Sequence, residues 1–165
     1  MYAVRLWSVR NARMLERVYD LFESTLVQLH PVLKRIGYDR LEKPMEAIER
    51  NVKGLLFDCQ MCGRCALSST GMSCPMNCPK SLRNGPCGGV RLNGHCEVKP
   101  EMKCVWVQAW EGSRHMADGG KILDRQKPVD HSLKGTSAWL RRTRELAEPA
   151  PEATKAAPAK AKAAS

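Results

Sequence analysis

The stretch that decides the reading runs from Cys59 to Cys104. It opens with CQMCGRC (59–65), continues through CPMNCP (74–79) and GPCGG (85–89), and closes on Cys96 and Cys104. All eight cysteines of the 165-residue chain lie in it: Cys59, Cys62, Cys65, Cys74, Cys78, Cys87, Cys96 and Cys104. Their gaps read C-x2-C-x2-C-x8-C-x3-C-x8-C-x8-C-x7-C, with Gly and Pro packed between them. Eight scattered cysteines would not fall this way, so the stretch is a site.

Two metal chemistries fit the spacing, and disulfides fit less well. The start of the chain has no apolar signal core, and no apolar run approaches the length of a membrane span, which predicts a cytoplasmic protein without membrane insertion. In a reducing compartment clustered cysteines act as metal ligands rather than disulfide partners. Structural zinc favours paired C-x2-C knuckles. Here the opening is a triple, Cys59, Cys62 and Cys65, the run that holds three corners of a [4Fe–4S] cubane. Cys74-Pro75 and Cys78-Pro79 echo the C-P terminator of ferredoxins. Eight cysteines fill two four-thiolate clusters or two zinc sites equally well, so the expected cofactor is one or two [4Fe–4S] clusters, with zinc as the alternative or as a second metal. By analogy with two-cluster ferredoxins, the triple takes a remote fourth ligand. Cys104 is the expected partner, which leaves Cys74, Cys78, Cys87 and Cys96 for a second centre. Gly85-Pro86-Cys87-Gly88-Gly89 reads as a ligand loop whose backbone approaches the metal closely. His95, beside Cys96, is a further candidate for zinc; His30, His115 and His131 read as solvent-facing or hydrogen-bonded structural residues. Met61, Met72 and Met76 read as an apolar shell.

Charge narrows the partners. The formal net charge is +10, and residues 59–104 carry six Lys and Arg against two Glu. Each four-thiolate cluster would bring about −2, so two would leave about +6 and the basic excess compensates a buried anion. The segment 59–104 contains no Phe, Tyr or Trp, which argues against nucleic acid, whose single strands are bound by stacking on aromatics. No Gly-rich phosphate loop or nucleophile elbow is recognisable, and the chain is too short for a flavin-binding barrel. On its own it reads as a metal-bearing module that is not catalytic alone.

Outward from the cysteines, the rest of the chain reads as mainly α, an irregular small domain around a loop-rich, cysteine-coordinated metal core. Residues 1–57 form a helical arm, 58–104 the metal-binding core, 105–147 a helix and an extended wrap, and 148–165 a disordered Ala/Pro/Lys tail. Leu15, Val18, Phe22, Leu26 and Leu29 predict an amphipathic helix over 9–29 with Ser8 as its N-cap. An ordinary core helix and a docking face both fit its width, and Phe22 and Leu26 are where a partner is expected. A second helix is predicted from Pro44 to Gly54, with Met45, Ile48, Val52 and Leu55 facing inward. A third is predicted over 101–116, carrying Trp106 and Trp110. Residues 121–138 read as a loop-rich wrap, and Thr136-Ser137 as the start of a last helix to about Leu146.

The cysteine segment also resembles a known family. The run Cys62-Gly63-x-Cys65, then Ser69 to Lys80, then Arg83-Asn84-Gly85-Pro86-Cys87-Gly88-Gly89-Val90, then Gly94-x-Cys96-Glu97-Val98, is similar to the C-terminal domain of methylenetetrahydrofolate reductases. Trp106 and the stretch 135–140 fit as well. The resemblance implies the small zinc- or iron–sulfur-binding subunit of a two-component methylenetetrahydrofolate reductase in one-carbon metabolism. Its expected partner is a separate (β/α)8 barrel subunit that carries the flavin and the tetrahydrofolate site. The implied role is electron transfer to that flavin; the alternative is a non-redox zinc scaffold that stabilises the reductase or a methyltransferase complex. Only the eight cysteines carry over as functional residues, as metal ligands.

Overall fold

A computed structural model describes residues 2–149. The expected tail lies outside the described residues except for Glu148 and Pro149. Six helices follow one another: α1 (Tyr2–Arg10), α2 (Ala12–Gln28), α3 (His30–Ile36), α4 (Tyr38–Phe57), α5 (Val105–Ser113) and α6 (Ala138–Ala147). Among the described residues there is no strand, only the isolated bridges Val90–Cys96 and His95–Lys103. The mainly helical, loop-rich architecture expected from the sequence is what the structure shows. α6 packs against α2, α3 and α4, while α1 joins α4 to α5.

Several boundaries differ from the sequence reading, each for a local reason. The first helix starts at Tyr2 and breaks at Asn11, whose Nδ2 donates to the Trp7 carbonyl at 2.9 Å. Ser8 is therefore inside α1 and does not cap a helix; it is fully buried, and its hydroxyl donates to the Leu56 carbonyl at 2.8 Å. Pro44 is interior to α4 rather than at its start. That helix begins after Gly37 and stops where Asp58 turns left-handed (φ 53°). α5 is shorter than 101–116, because residues 99–103 turn back: the Cys96 amide donates to the Met102 carbonyl at 3.0 Å. The start of α6 is as expected, with the Ser137 hydroxyl accepting from the Leu140 amide.

The larger correction concerns the faces of α4. Ile48, Val52 and Leu55, predicted to point inward, are 43–59% exposed. The face turned inward carries Glu49, Lys53 and Phe57. Glu49 accepts from the Ser137 hydroxyl at 2.7 Å and from the Trp139 amide at 3.2 Å, so it holds the start of α6. Those charged anchors rotate the apolar stripe to the outside. On α2 the inner residues are Ala12, Glu16 and Leu26, and Phe22 meets Trp139 edge-on at 4.7 Å between centroids. Phe22 and Leu26 are thus packing residues, while Met14, Val18 and Leu21 are the exposed ones.

Two small apolar clusters hold the chain together. Ala12, Phe57, Leu67, Met72, Cys74 and Met116 form one, and Cys104, Trp106 and Ala109 the other. The cysteine loop joins α5 by direct backbone contact. Gly71 has φ 59°, and a Cβ there would run into the Ala109 carbonyl and the Ser113 amide. Gly71→Ala therefore faces both a left-handed backbone and a clash with backbone atoms. It is expected to cost about 2–4 kcal/mol, read as a lowered midpoint in urea unfolding followed by circular dichroism.

Candidate metal centre

Four of the eight cysteines line one cavity. Cys59 follows the left-handed stop of α4, and Cys62 and Cys65 follow at intervals of three. Cys74 returns to them after the turns over 67–73. The cavity between them is walled by Met61, Ala66, Leu67 and Met76, with Glu49, Lys53 and Arg83 on its charged side. Cys74 is the fourth cysteine of this cavity, whereas Cys104, the fourth ligand expected for the triple, stands at the N-terminal end of α5 and packs with Trp106 and Ala109. The Asn77 amide group donates to the Phe57 carbonyl at 2.8 Å and ties the 74–78 loop to the end of α4, beside Cys59.

The backbone around these thiols is held under constraint. Asp58, Met61, Met72 and Ser81 all have φ between 46° and 57°, a conformation that costs a non-glycine residue about 1–2 kcal/mol. Every such non-glycine residue among those described falls in this segment. The Met61 amide is 3.4 Å from the Cys59 sulfur, donating to it. The 131–138 segment presses on the triple from outside. The Gly135 amide donates to the Met61 carbonyl at 2.9 Å, and Arg141 donates to the Gly63 carbonyl. Gly63 (φ 72°) has no room for a Cβ against Leu133. The extended wrap predicted for 121–138 contains two short 3-10 turns, Gly119–Leu123 and His131–Leu133, and it clamps the ligand loop.

The charges in the wall are buried. Lys53 and Glu49 pair at 2.7 Å with both side chains 2% exposed. The Lys53 ammonium also lies over the rings of Trp139 (5.0 Å) and Tyr19 (6.0 Å). Burial alone would lower the lysine pKa, but Cys65, Glu49 and Tyr19 outweigh it and hold the ammonium charged. Arg83 stands across the cavity: one guanidinium nitrogen donates to the Arg64 carbonyl at 2.6 Å and another lies 3.8 Å from the Cys62 sulfur. Its Nε is buried and has no acceptor among the described residues. Burial pushes the Cys59 thiol up to about 11, and Cys65 and Cys62 add to the rise. Burial likewise pushes Cys74 up to about 12, with Cys59, Cys65 and Cys62 contributing.

The other cysteines lie in the loops between 78 and 104. The Val90–Cys96 bridge and the packing of Val90 on Cys104 draw Cys96 and Cys104 into one region. Cys87 lies 4.0 Å from the Glu97 carboxylate, which pairs with Lys80. Cys78 is half-buried at the end of a 3-10 turn. His95 is hydrogen-bonded through Nδ1 to the Pro100 carbonyl at 2.7 Å. Among the described residues, no three Cys, His, Asp or Glu side chains converge closely enough to hold a single ion.

A family model described as methylene-tetrahydrofolate reductase C terminal matches residues 38–132, which spans α4, the whole cysteine segment and α5. The chain belongs to this family. No curated protein and no solved structure matches it. Among the described residues no helix is long and apolar enough to cross a membrane. For this methylene-tetrahydrofolate reductase C-terminal chain, sequence reasoning named the cysteines but missed Glu49, Lys53 and Tyr19. The available signal was the i, i+4 spacing of Glu49 and Lys53, which reads equally well as a solvated pair. Arg83 was visible only as one of the six basic residues of 59–104 and as the first residue of the Arg83–Val90 run.

The thiol environment has a chemical signature. A raised pKa leaves less thiolate at any given pH, and thiolate is the species that is alkylated. In metal-free protein at pH 8.5, Cys59 and Cys74 are expected to react with iodoacetamide at least about tenfold more slowly than in urea-unfolded protein. Mass spectrometry of peptides from timed aliquots checks it.

Proposed function

We propose that this chain is the accessory iron–sulfur subunit of a two-component methylenetetrahydrofolate reductase. It holds a [4Fe–4S] cluster on Cys59, Cys62, Cys65 and Cys74, and it docks on a separate flavin-bearing barrel subunit. The observation that carries the reading is the cavity lined by four thiols and faced by buried cations. Its residues fit a bound anionic cluster in three respects. Four sulfur donors are available. The buried Arg83 Nε–H has no acceptor among the described residues, and a sulfur-rich group beside Cys62 would supply one. Lys53 and Arg83 offset the negative charge that four thiolates bring. The opening triple and the two C-P steps favour iron over zinc for this site. Cys78, Cys87, Cys96 and Cys104 remain for a second metal, a cluster or zinc.

When bound, such a cluster supplies one-electron storage and transfer, and the chain's own groups prepare the place for it. The thiols bind it, and Met61, Leu67 and Met76 keep water from it. The role that goes with such a cluster is relay of electrons to the partner's flavin, in keeping with the reductase family to which the chain belongs. Loading requires loss of the raised thiol protons, so metal uptake should release protons and strengthen with rising pH.

Anaerobic purification with iron, zinc and acid-labile sulfide analysis tests the metal assignment. A brown protein that bleaches with dithionite is expected; zinc without iron at all eight cysteines would return the scaffold reading. Cys74→Ser should abolish the signal of the first cluster in electron paramagnetic resonance, while Cys104→Ser should leave it in place. The reverse result would restore the ferredoxin-like grouping.

The partner surface follows from the exposed stripes. Ile48, Val52 and Leu55 line the outer face of α4, and Met14, Val18 and Leu21 that of α2. Both are wide apolar faces of helices whose inner sides are already packed, which is how an obligate partner is accommodated. Leu55→Asp should weaken copurification of the barrel subunit at least about tenfold and leave iron content unchanged. Leu26→Asp, by contrast, should unfold the chain and lose both.

A further inference from the structure

Lys53 is an unusual residue to bury in so small a core. It is 2% exposed, in a chain whose apolar clusters are modest. Its ammonium has one hydrogen-bonding partner among the described residues, Glu49 Oε1. The other carboxylate oxygen of Glu49 is taken by Ser137 and Trp139. Two apolar side chains of similar volume would pack α4 against α6 at lower cost, because desolvating an ion pair is expensive. The start of α6 is already capped by the Ser137 hydroxyl. Packing and capping therefore leave the lysine unexplained.

Its position supplies an explanation. Lys53 and Glu49 both line the four-cysteine cavity. The rings of Trp139 and Tyr19 fix the ammonium from behind, so the charge cannot swing out to water. We infer that Lys53, held in place by Glu49, sets the reduction potential of the iron–sulfur group bound by Cys59, Cys62, Cys65 and Cys74. This rests on the cluster assignment made above. The physical basis is simple electrostatics in a poorly screened site. One-electron reduction takes a four-thiolate cluster from about −2 to about −3. A fixed cation in its wall stabilises the reduced form more than the oxidised form, and a fixed anion does the opposite. Lys53 and Glu49, both in the wall of the cavity, therefore act against each other. Neither residue is a ligand; both are positioning residues.

Opposite signs make the test specific. Potentiometric titration followed by electron paramagnetic resonance is run on anaerobically purified wild-type protein, Lys53→Met, Lys53→Arg and Glu49→Gln, with iron content measured for each. Lys53→Met should shift the midpoint to more negative values and Glu49→Gln to more positive ones. Lys53→Arg should stay close to wild type. A purely structural ion pair predicts altered stability without shifts of opposite sign, so unchanged midpoints, or shifts in the same direction, overturn the inference. If Lys53→Met does not fold, Glu49→Gln against Lys53→Arg decides it: a midpoint that does not rise in Glu49→Gln overturns the inference. Wild-type protein without iron refutes the cluster assignment itself, a result separable from the one in which iron is present and the midpoints do not move.

Discussion

The Glu49–Lys53 pair determines how α4 is turned, and much of the structure follows from that rotation. With both charges inside, Glu49 reaches the first residues of α6 and Lys53 reaches the wall of the cysteine cavity. The ridge of Ile48, Val52 and Leu55 is carried to the outside by the same rotation. Had the helix packed by its apolar ridge, as its periodicity invites, α6 would have lost the carboxylate at its start and the cavity its ammonium. A buried ion pair is a weak source of stability, because desolvation consumes most of its Coulombic gain. Its presence is better explained by what it positions.

That rotation also shows where the sequence could be read and where it could not. The gathering of Cys59, Cys62, Cys65 and Cys74 around one cavity was partly legible, because the first three fall at intervals of three and Gly and Pro mark the turns between the cysteines. The start of α6 was legible because Ser137 is a strong N-cap. The inner face of α4 was not: helical periodicity assigns apolar residues to the core, and here a partner-sized apolar face competes with a charged inner one. The company of Cys74 with the triple in one cavity was also hidden. Its loop is fastened by Asn77 to the Phe57 carbonyl, a contact between residues 20 positions apart that no spacing rule encodes. Ser8 misled for a related reason. A serine before an apolar run resembles a cap, yet its hydroxyl is engaged by Leu56, 48 residues away.

The site and the core are largely the same object. Cys74 belongs to the principal apolar cluster, and Cys65 and Met76 pack against it. The cavity is therefore lined by apolar side chains and by buried charges together. Two of the left-handed residues, Met61 and Met72, have their cost met by this shared packing: both are buried, with their side chains in the cavity wall or the cluster beside it. Relaxing either backbone would open the core as well as the site.

A core that doubles as a ligand shell has a consequence for how the chain behaves without metal. Burial raises the Cys59 and Cys74 thiols, so these two keep their protons in the metal-free chain at neutral pH. Lys53 keeps the Glu49 carboxylate as its hydrogen-bonded partner, and Arg83 reaches the Arg64 carbonyl. On the cluster reading proposed above, metal binding would replace the Cys59 and Cys74 protons and bring both cations further counter-charge. Glu49 ties the cavity wall to α6, and α4 carries the exposed apolar ridge on its other side, so the cavity and the ridge share a single helix.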